Sequence, residues 1–138
     1  MAPARETVSA AGAPPAIGPY SHAILADLRS AGTLLFCSGQ IPLDPATGEL
    51  VGVTAGDQAR RCLENLQAVC DAAGTSLRQA LRLTVYVTDL ADFAAVNEVY
   101  GSFFPDDQPA RVTVEVSALP RGAQVEIDAI VLAAGAEG

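Results

Sequence analysis

Pro109-Ala-Arg-Val-Thr-Val-Glu-Val-Ser-Ala-Leu-Pro-Arg-Gly-Ala-Gln-Val-Glu-Ile-Asp-Ala-Ile130 reads as two strands of alternating character. Val112, Val114 and Val116 point one way, and Arg111, Thr113 and Glu115 the other. Beyond a turn at Pro120-Arg-Gly122, Val125, Ile127 and Ala129 alternate with Glu126 and Asp128. Successive side chains of a strand face opposite sides of its sheet, so each strand carries an apolar face and a charged one. The pair reads as a terminal hairpin, with an arginine on one strand and a carboxylate on the next. A guanidinium with a carboxylate within reach suits the holding of a small carboxylic acid and the activation of a water beside it.

Upstream, Leu81–Val87 alternates in the same way, with Leu81, Leu83, Val85 and Val87 expected inward and Arg82, Thr84 and Tyr86 outward. Thr54-Ala-Gly-Asp57 resembles a helix capping box. Apolar residues follow at 59, 62, 63, 66, 69, 70 and 73, the period of an amphipathic helix, which Gly74 closes. A second helix runs from Asp89 or Leu90 to Phe103, its stripe formed by Phe93, Val96, Asn97, Tyr100, Phe103 and Phe104. Strands are expected over Tyr20–Leu28 and Leu34–Gly39, joined as a hairpin by residues 27–32. Residues 1–14, rich in Ala, Pro, Gly and Ser, are expected to start disordered, with room for a short strand at Glu6–Ser9.

The order β-β-α-β-α-β-β over residues 1–138 is that of a single α+β domain, with two helices on one face of a mixed sheet. The sheet's other face is expected to carry Arg82, Thr84, Tyr86, Arg111, Thr113, Glu126 and Asp128. That face is either solvated or packed against copies of itself.

A chain of 138 residues, half of them apolar, buries a core without disulfides. No apolar run approaches the roughly 18–20 residues that span a bilayer. Met1-Ala-Pro-Ala-Arg-Glu lacks the features of a signal peptide, so a cytoplasmic protein is expected, without a membrane partner. The net charge of −8 argues against a nucleic-acid partner. All eight basic residues are Arg, which excludes lysine Schiff-base chemistry and a P-loop.

Cys37, Cys62 and Cys70 read as free thiols, the last two as small hydrophobes on one helix face. One His and no CxxC pattern leave no protein-only metal site. The lone His22 reads as structural or exposed.

Several segments together resemble the Rid family, also called the YjgF family, over roughly residues 6–133. They are Ile17-Gly-Pro-Tyr-Ser-His-Ala23, Cys37-Ser-Gly-Gln-Ile-Pro42, Gln58-Ala-Arg-Arg-Cys-Leu-Glu-Asn65, Thr84-Val-Tyr-Val-Thr-Asp89, Phe93-Ala-Ala-Val-Asn97, Pro109-Ala-Arg111 and Val125-Glu-Ile-Asp-Ala-Ile130. The resemblance implies a chorismate-mutase-like fold. It implies a homotrimer whose sheets form a central barrel, with active sites in the clefts between subunits. The activity implied is hydrolysis of 2-imino and 2-enamino acids, such as 2-iminopropanoate and 2-iminobutanoate, to 2-keto acids and ammonia, with no cofactor.

By the same resemblance, Arg111 grips the substrate carboxylate, Glu126 orients or activates the attacking water, and Tyr20 lines the cleft. Ser38 and Gly39 form the site wall, and Asn97 holds either the ligand or the cleft's backbone. Thr113 stands where the best-known members have Cys, and the 105–108 connection is shorter than theirs. Those departures keep two other readings open. One is a pathway-specific deaminase or hydrolase of a larger unsaturated amino acid, and the other is a non-catalytic binder of small carboxylates. Ribonuclease activity is attributed to some relatives, and the acidic, lysine-free composition argues against it here.

Overall fold

The computed structural model describes residues 4–133; residues 1–3 of the segment expected to start disordered lie outside them. Its strands are β1 (Arg5–Val8), β2 (Ala23–Ala26), β3 (Thr33–Gln40), β4 (Ala80–Val87), β5 (Ala110–Glu115) and β6 (Val125–Ala133). Its helices are α1, a single turn at Leu28–Ala31, α2 (Ala55–Ala72) and α3 (Phe93–Phe103). The result is a mixed α+β fold with α2 and α3 over a four-stranded sheet of order β3-β6-β4-β5.

Helix α2 begins where its local chemistry directs. Thr54 Oγ1 accepts from Asp57 N at 3.1 Å, and Gly74, at φ 78°, takes the left-handed turn beyond the last residues. Cys62, Leu63, Leu66 and Cys70 form its buried stripe against Leu83, Val85, Ile127, Ala129 and Val131 of the sheet. Gln58 is buried but satisfied: its Nε2 donates to Gly52 O at 3.0 Å, and its Oε1 accepts from Gln124 N at 2.8 Å.

Strand pairing departs from the expected order in two places. β2 pairs with β1 as a separate antiparallel ribbon rather than with β3. The last two strands do not form a hairpin either. β5 runs parallel to β4, joined to it through α3, while β6 inserts antiparallel between β3 and β4. Parallel neighbours need a crossover element, and α3 supplies it.

That topology also reassigns two faces. Residues opposed across a ladder share a face, and Arg111 opposes Leu83 while Thr113 opposes Val85, both wholly buried core positions. Arg111 and Thr113 therefore turn toward the helix layer, not the outer face. Val112 and Val114 turn outward beside Thr84 and Tyr86, each 37% exposed, and Phe36 shares that face at 70%. On β4, Ala80 rather than Leu81 is buried, because the pairing with β6 shifts register between Ala80 and Arg82.

Candidate active site

Arg111, the second residue of β5, is half-buried and enclosed by aromatic rings. Its Cζ lies 5.3 Å from the ring centre of Tyr20, 5.6 Å from Phe93 and 5.0 Å from Tyr100, within the range of cation–π attraction. Nη1 donates to Asn97 Oδ1 at 2.6 Å. Burial lowers its pKa from the ordinary arginine value, yet a guanidinium stays charged at neutral pH. Among the described residues the ion pairs are Arg29–Asp27 and Arg61–Glu64, so Arg111 has no carboxylate partner there. A partly desolvated cation without a counter-charge is poised for an anionic ligand.

The cage around Arg111 is assembled from two segments distant from it in sequence. Asn97, Phe93 and Tyr100 follow one another around α3, and Tyr20 comes from the turn that begins at Gly18. In that turn Tyr20 N donates to Gly18 O at 2.8 Å, and the Tyr20 hydroxyl accepts from Ile17 N at 3.3 Å. Ser21 fastens the turn to the start of β5: its N donates to Pro109 O at 3.1 Å, and its hydroxyl donates to Gln108 O. A Cβ at position 18 would lie 2.9 Å from Arg111 Nη2, so only glycine leaves the guanidinium its place. Ile17, Tyr20, Phe93, Arg111 and Thr113 together line an open cleft of about 220 Å³. The Thr113 Oγ1 within it is buried and without a hydrogen-bond partner among the described residues.

The remaining expected site residues gather elsewhere. Glu126 stands on β6 opposite Tyr86, on the outer face. Between the pairs Cys37–Ala129 and Gln40–Ile127, β3 has two residues, Ser38 and Gly39, against the single Asp128, which makes a β-bulge. The Glu126 carboxylate lies across Gly39, where any Cβ would collide with Oε2. Ser38, in the same bulge, is exposed. On this face Asp128 accepts from the Tyr86 hydroxyl at 3.1 Å and from Thr84 N at 3.3 Å, and the first bond holds the Tyr86 pKa above its usual value.

One chain thus brings together Tyr20, Asn97, Arg111 and Thr113, and separately Ser38, Gly39 and Glu126. It does not bring the two groups into one cleft, contrary to the carboxylate expected beside Arg111 on the next strand. Sequence reasoning did not assign Ile17, Gly18, Phe93 and Tyr100 to the site, although the motif Ile17-Gly-Pro-Tyr20 and the stripe of α3 contain all of them. His22 is a structural tie, accepting from Ala10 N at 2.9 Å and bonded to Pro14 O at 2.7 Å. Among the described residues no cluster of His, Cys, Asp or Glu could hold a metal ion.

Comparison with known proteins agrees with this architecture. The family model described as Endoribonuclease L-PSP matches residues 10–133. The chain is 55% identical to Protein DfrA of Myxococcus xanthus, over 92% of its own length and 95% of that protein. It is 39% identical to the human 2-iminobutanoate/2-iminopropanoate deaminase, over 93% of its own length and 90% of that protein. Its fold is similar to the crystal structure of RidA from an Antarctic Psychrobacter, with a TM-score of 0.70 and 40% identity, covering 92% of this chain and 98% of that one. With the family model spanning the chain and relatives of this identity along its length, the protein belongs to the endoribonuclease L-PSP family, the YjgF or Rid family.

Proposed function

We propose that the protein hydrolyses 2-imino and 2-enamino acids, such as 2-iminopropanoate and 2-iminobutanoate, to 2-keto acids and ammonia. It acts in the cytoplasm on a small molecule, as a cofactor-independent homotrimer, with no nucleic acid or membrane involved. The observation that carries this reading is the Arg111 guanidinium, held by Asn97 in an aromatic cleft and without a carboxylate partner among the described residues. The name of the human relative supports the same chemistry.

The enamine tautomerises to the imine, and Arg111 anchors the carboxylate with its planar fork. A water polarised by Glu126 attacks the imine carbon while the nitrogen takes up a proton. The carbinolamine then collapses to the keto acid and ammonia. Imino acids hydrolyse unaided in water, so positioning plus a general base of about 10²–10⁴-fold value suffices. Because Glu126 faces away from Arg111 within one chain, the carboxylate comes from a neighbouring copy. The exposed Phe36, Val112 and Val114 on the Glu126 face support burial of that face between subunits.

The test couples a threonine dehydratase, which releases the imine from threonine or serine, to semicarbazide as a competing trap. Wild-type protein is expected to suppress semicarbazone formation and Arg111→Ala is not. Full suppression by a folded Arg111→Ala variant, or none by the wild type, contradicts the reading. The family's description also names an endoribonuclease. A chain of net charge −8 without Lys is poorly equipped for a phosphate backbone, and lack of salt-dependent RNA binding would exclude that activity.

A further inference from the structure

We infer that Asn97 is the positioning residue of the carboxylate site, and that its being an amide rather than a carboxylate keeps the charge of Arg111 available to the ligand. The inference rests on the imino-acid reading above and deepens it.

A guanidinium has only donors, so the atom facing Arg111 Nη1 at 2.6 Å is necessarily the amide oxygen of Asn97. That oxygen is occupied by Arg111, so through it Asn97 acts on the ligand by way of the guanidinium. The rings of Tyr20, Phe93 and Tyr100 restrict where the guanidinium sits but place no directional bond on it. Asn97 fixes its rotation and occupies one of its nitrogens. Nη2 and Nε make no hydrogen bond to another described residue, and the missing side chain of Gly18 keeps the space beside Nη2 clear. The fork's remaining donors are thus held ready for two carboxylate oxygens.

An aspartate would fit the same place with nearly the same shape. It would form a close ion pair with Arg111 and neutralise its charge before any ligand arrived. The side chain at 97 thus has to accept a hydrogen bond, stay short and carry no charge, and asparagine meets all three requirements.

The experiment measures pyruvate binding by calorimetry and imine hydrolysis by the semicarbazide assay, for wild type, Asn97→Ala, Asn97→Asp and Arg111→Ala. Melting temperature and gel filtration are recorded for each. Asn97→Ala is expected to weaken pyruvate binding about tenfold and to raise KM with kcat largely kept, the loss of one charge-assisted hydrogen bond. Asn97→Asp is expected to melt no lower than wild type, yet to bind pyruvate about a hundredfold more weakly.

Pyruvate binding by Asn97→Asp as tight as wild type overturns the inference, as does a fall in kcat at unchanged KM in Asn97→Ala. If Asn97→Asp does not fold, Asn97→Ala decides alone. If the wild type neither binds pyruvate nor hydrolyses the imine, the imino-acid reading falls and takes this inference with it. If wild type and Arg111→Ala differ as expected while the Asn97 variants bind like wild type, the inference alone falls.

Discussion

Arg111 and Glu126 stand on opposite faces of one four-stranded sheet. Arg111 turns toward α3, where Asn97 receives Nη1, and Glu126 turns toward the uncovered face, where its carboxylate lies across Gly39. A single chain therefore offers the candidate carboxylate-holding cation and the candidate water-activating group in two separate places. In the proposed trimer, the outer face of one copy would pack against the next copy. That packing would join the two half-sites and shield Phe36, Val112 and Val114 from water.

Gly39 is predicted to be required for the geometry of Glu126. A methyl group at this position collides with the end of the Glu126 side chain, which is flexible enough to swing aside without unfolding the bulge. Gly39→Ala should keep its melting temperature within a few degrees of wild type while kcat falls about 10²-fold, as expected when a general base is misplaced. Steady-state kinetics beside a thermal melt checks this, and unchanged kcat would contradict it.

Thr113 carries a buried hydroxyl without a partner among the described residues, beside the apolar Val85 on the neighbouring strand. An unsatisfied buried group costs about 1–3 kcal/mol, so Thr113→Val should be at least as stable as wild type, by about 1 kcal/mol at most sites of this kind. Urea unfolding of the ligand-free protein measures it. A clear loss of stability would show that the hydroxyl finds its partner on a neighbouring copy.

The thiols link stability to pH. Burial pushes Cys62 and Cys70 up to about 12 from the ordinary 9.0, and Cys37 also upward. In the unfolded chain these thiols ionise near pH 9.0, whereas in the folded chain they hold their protons. Their contribution is therefore complete below the unfolded value and is lost as pH rises toward the folded one. The urea midpoint should fall between about pH 8 and about pH 10.5, and fall less in Cys62→Ala. At neutral pH the native thiols should resist an aromatic disulfide reagent until denaturant is added.

How much of this was legible in the sequence follows the range of the interactions. α2 was legible because its signals are local: Thr54 at the cap, an apolar residue every third or fourth position, Gly74 beyond the end. The strands over β4, β5 and β6 were legible as strands from their alternation. Their partners were not, because pairing depends on a crossover through α3 that no local pattern records. Alternation also separates two faces without saying which one packs, so it does not reveal that the arginine face of β5 lies under α3. In the site, Arg111, Asn97, Tyr20 and Thr113 were legible through motif resemblance. Phe93 and Tyr100 read as core stripe in the sequence, since an aromatic ring that packs against a cation has the same helical spacing as one that packs against leucine.

In the proposed assembly, Arg111 of one copy and Glu126 of another make one site. Mixing two inactive variants, Arg111→Ala and Glu126→Gln, under conditions that exchange subunits tests it most directly. In a closed ring of three, random exchange places an intact Arg111 beside an intact Glu126 at about one interface in four, so about a quarter of the wild-type imine hydrolysis should return. No recovery, with gel filtration and mass spectrometry showing mixed trimers, would contradict the account, and so would full activity from an isolated monomer.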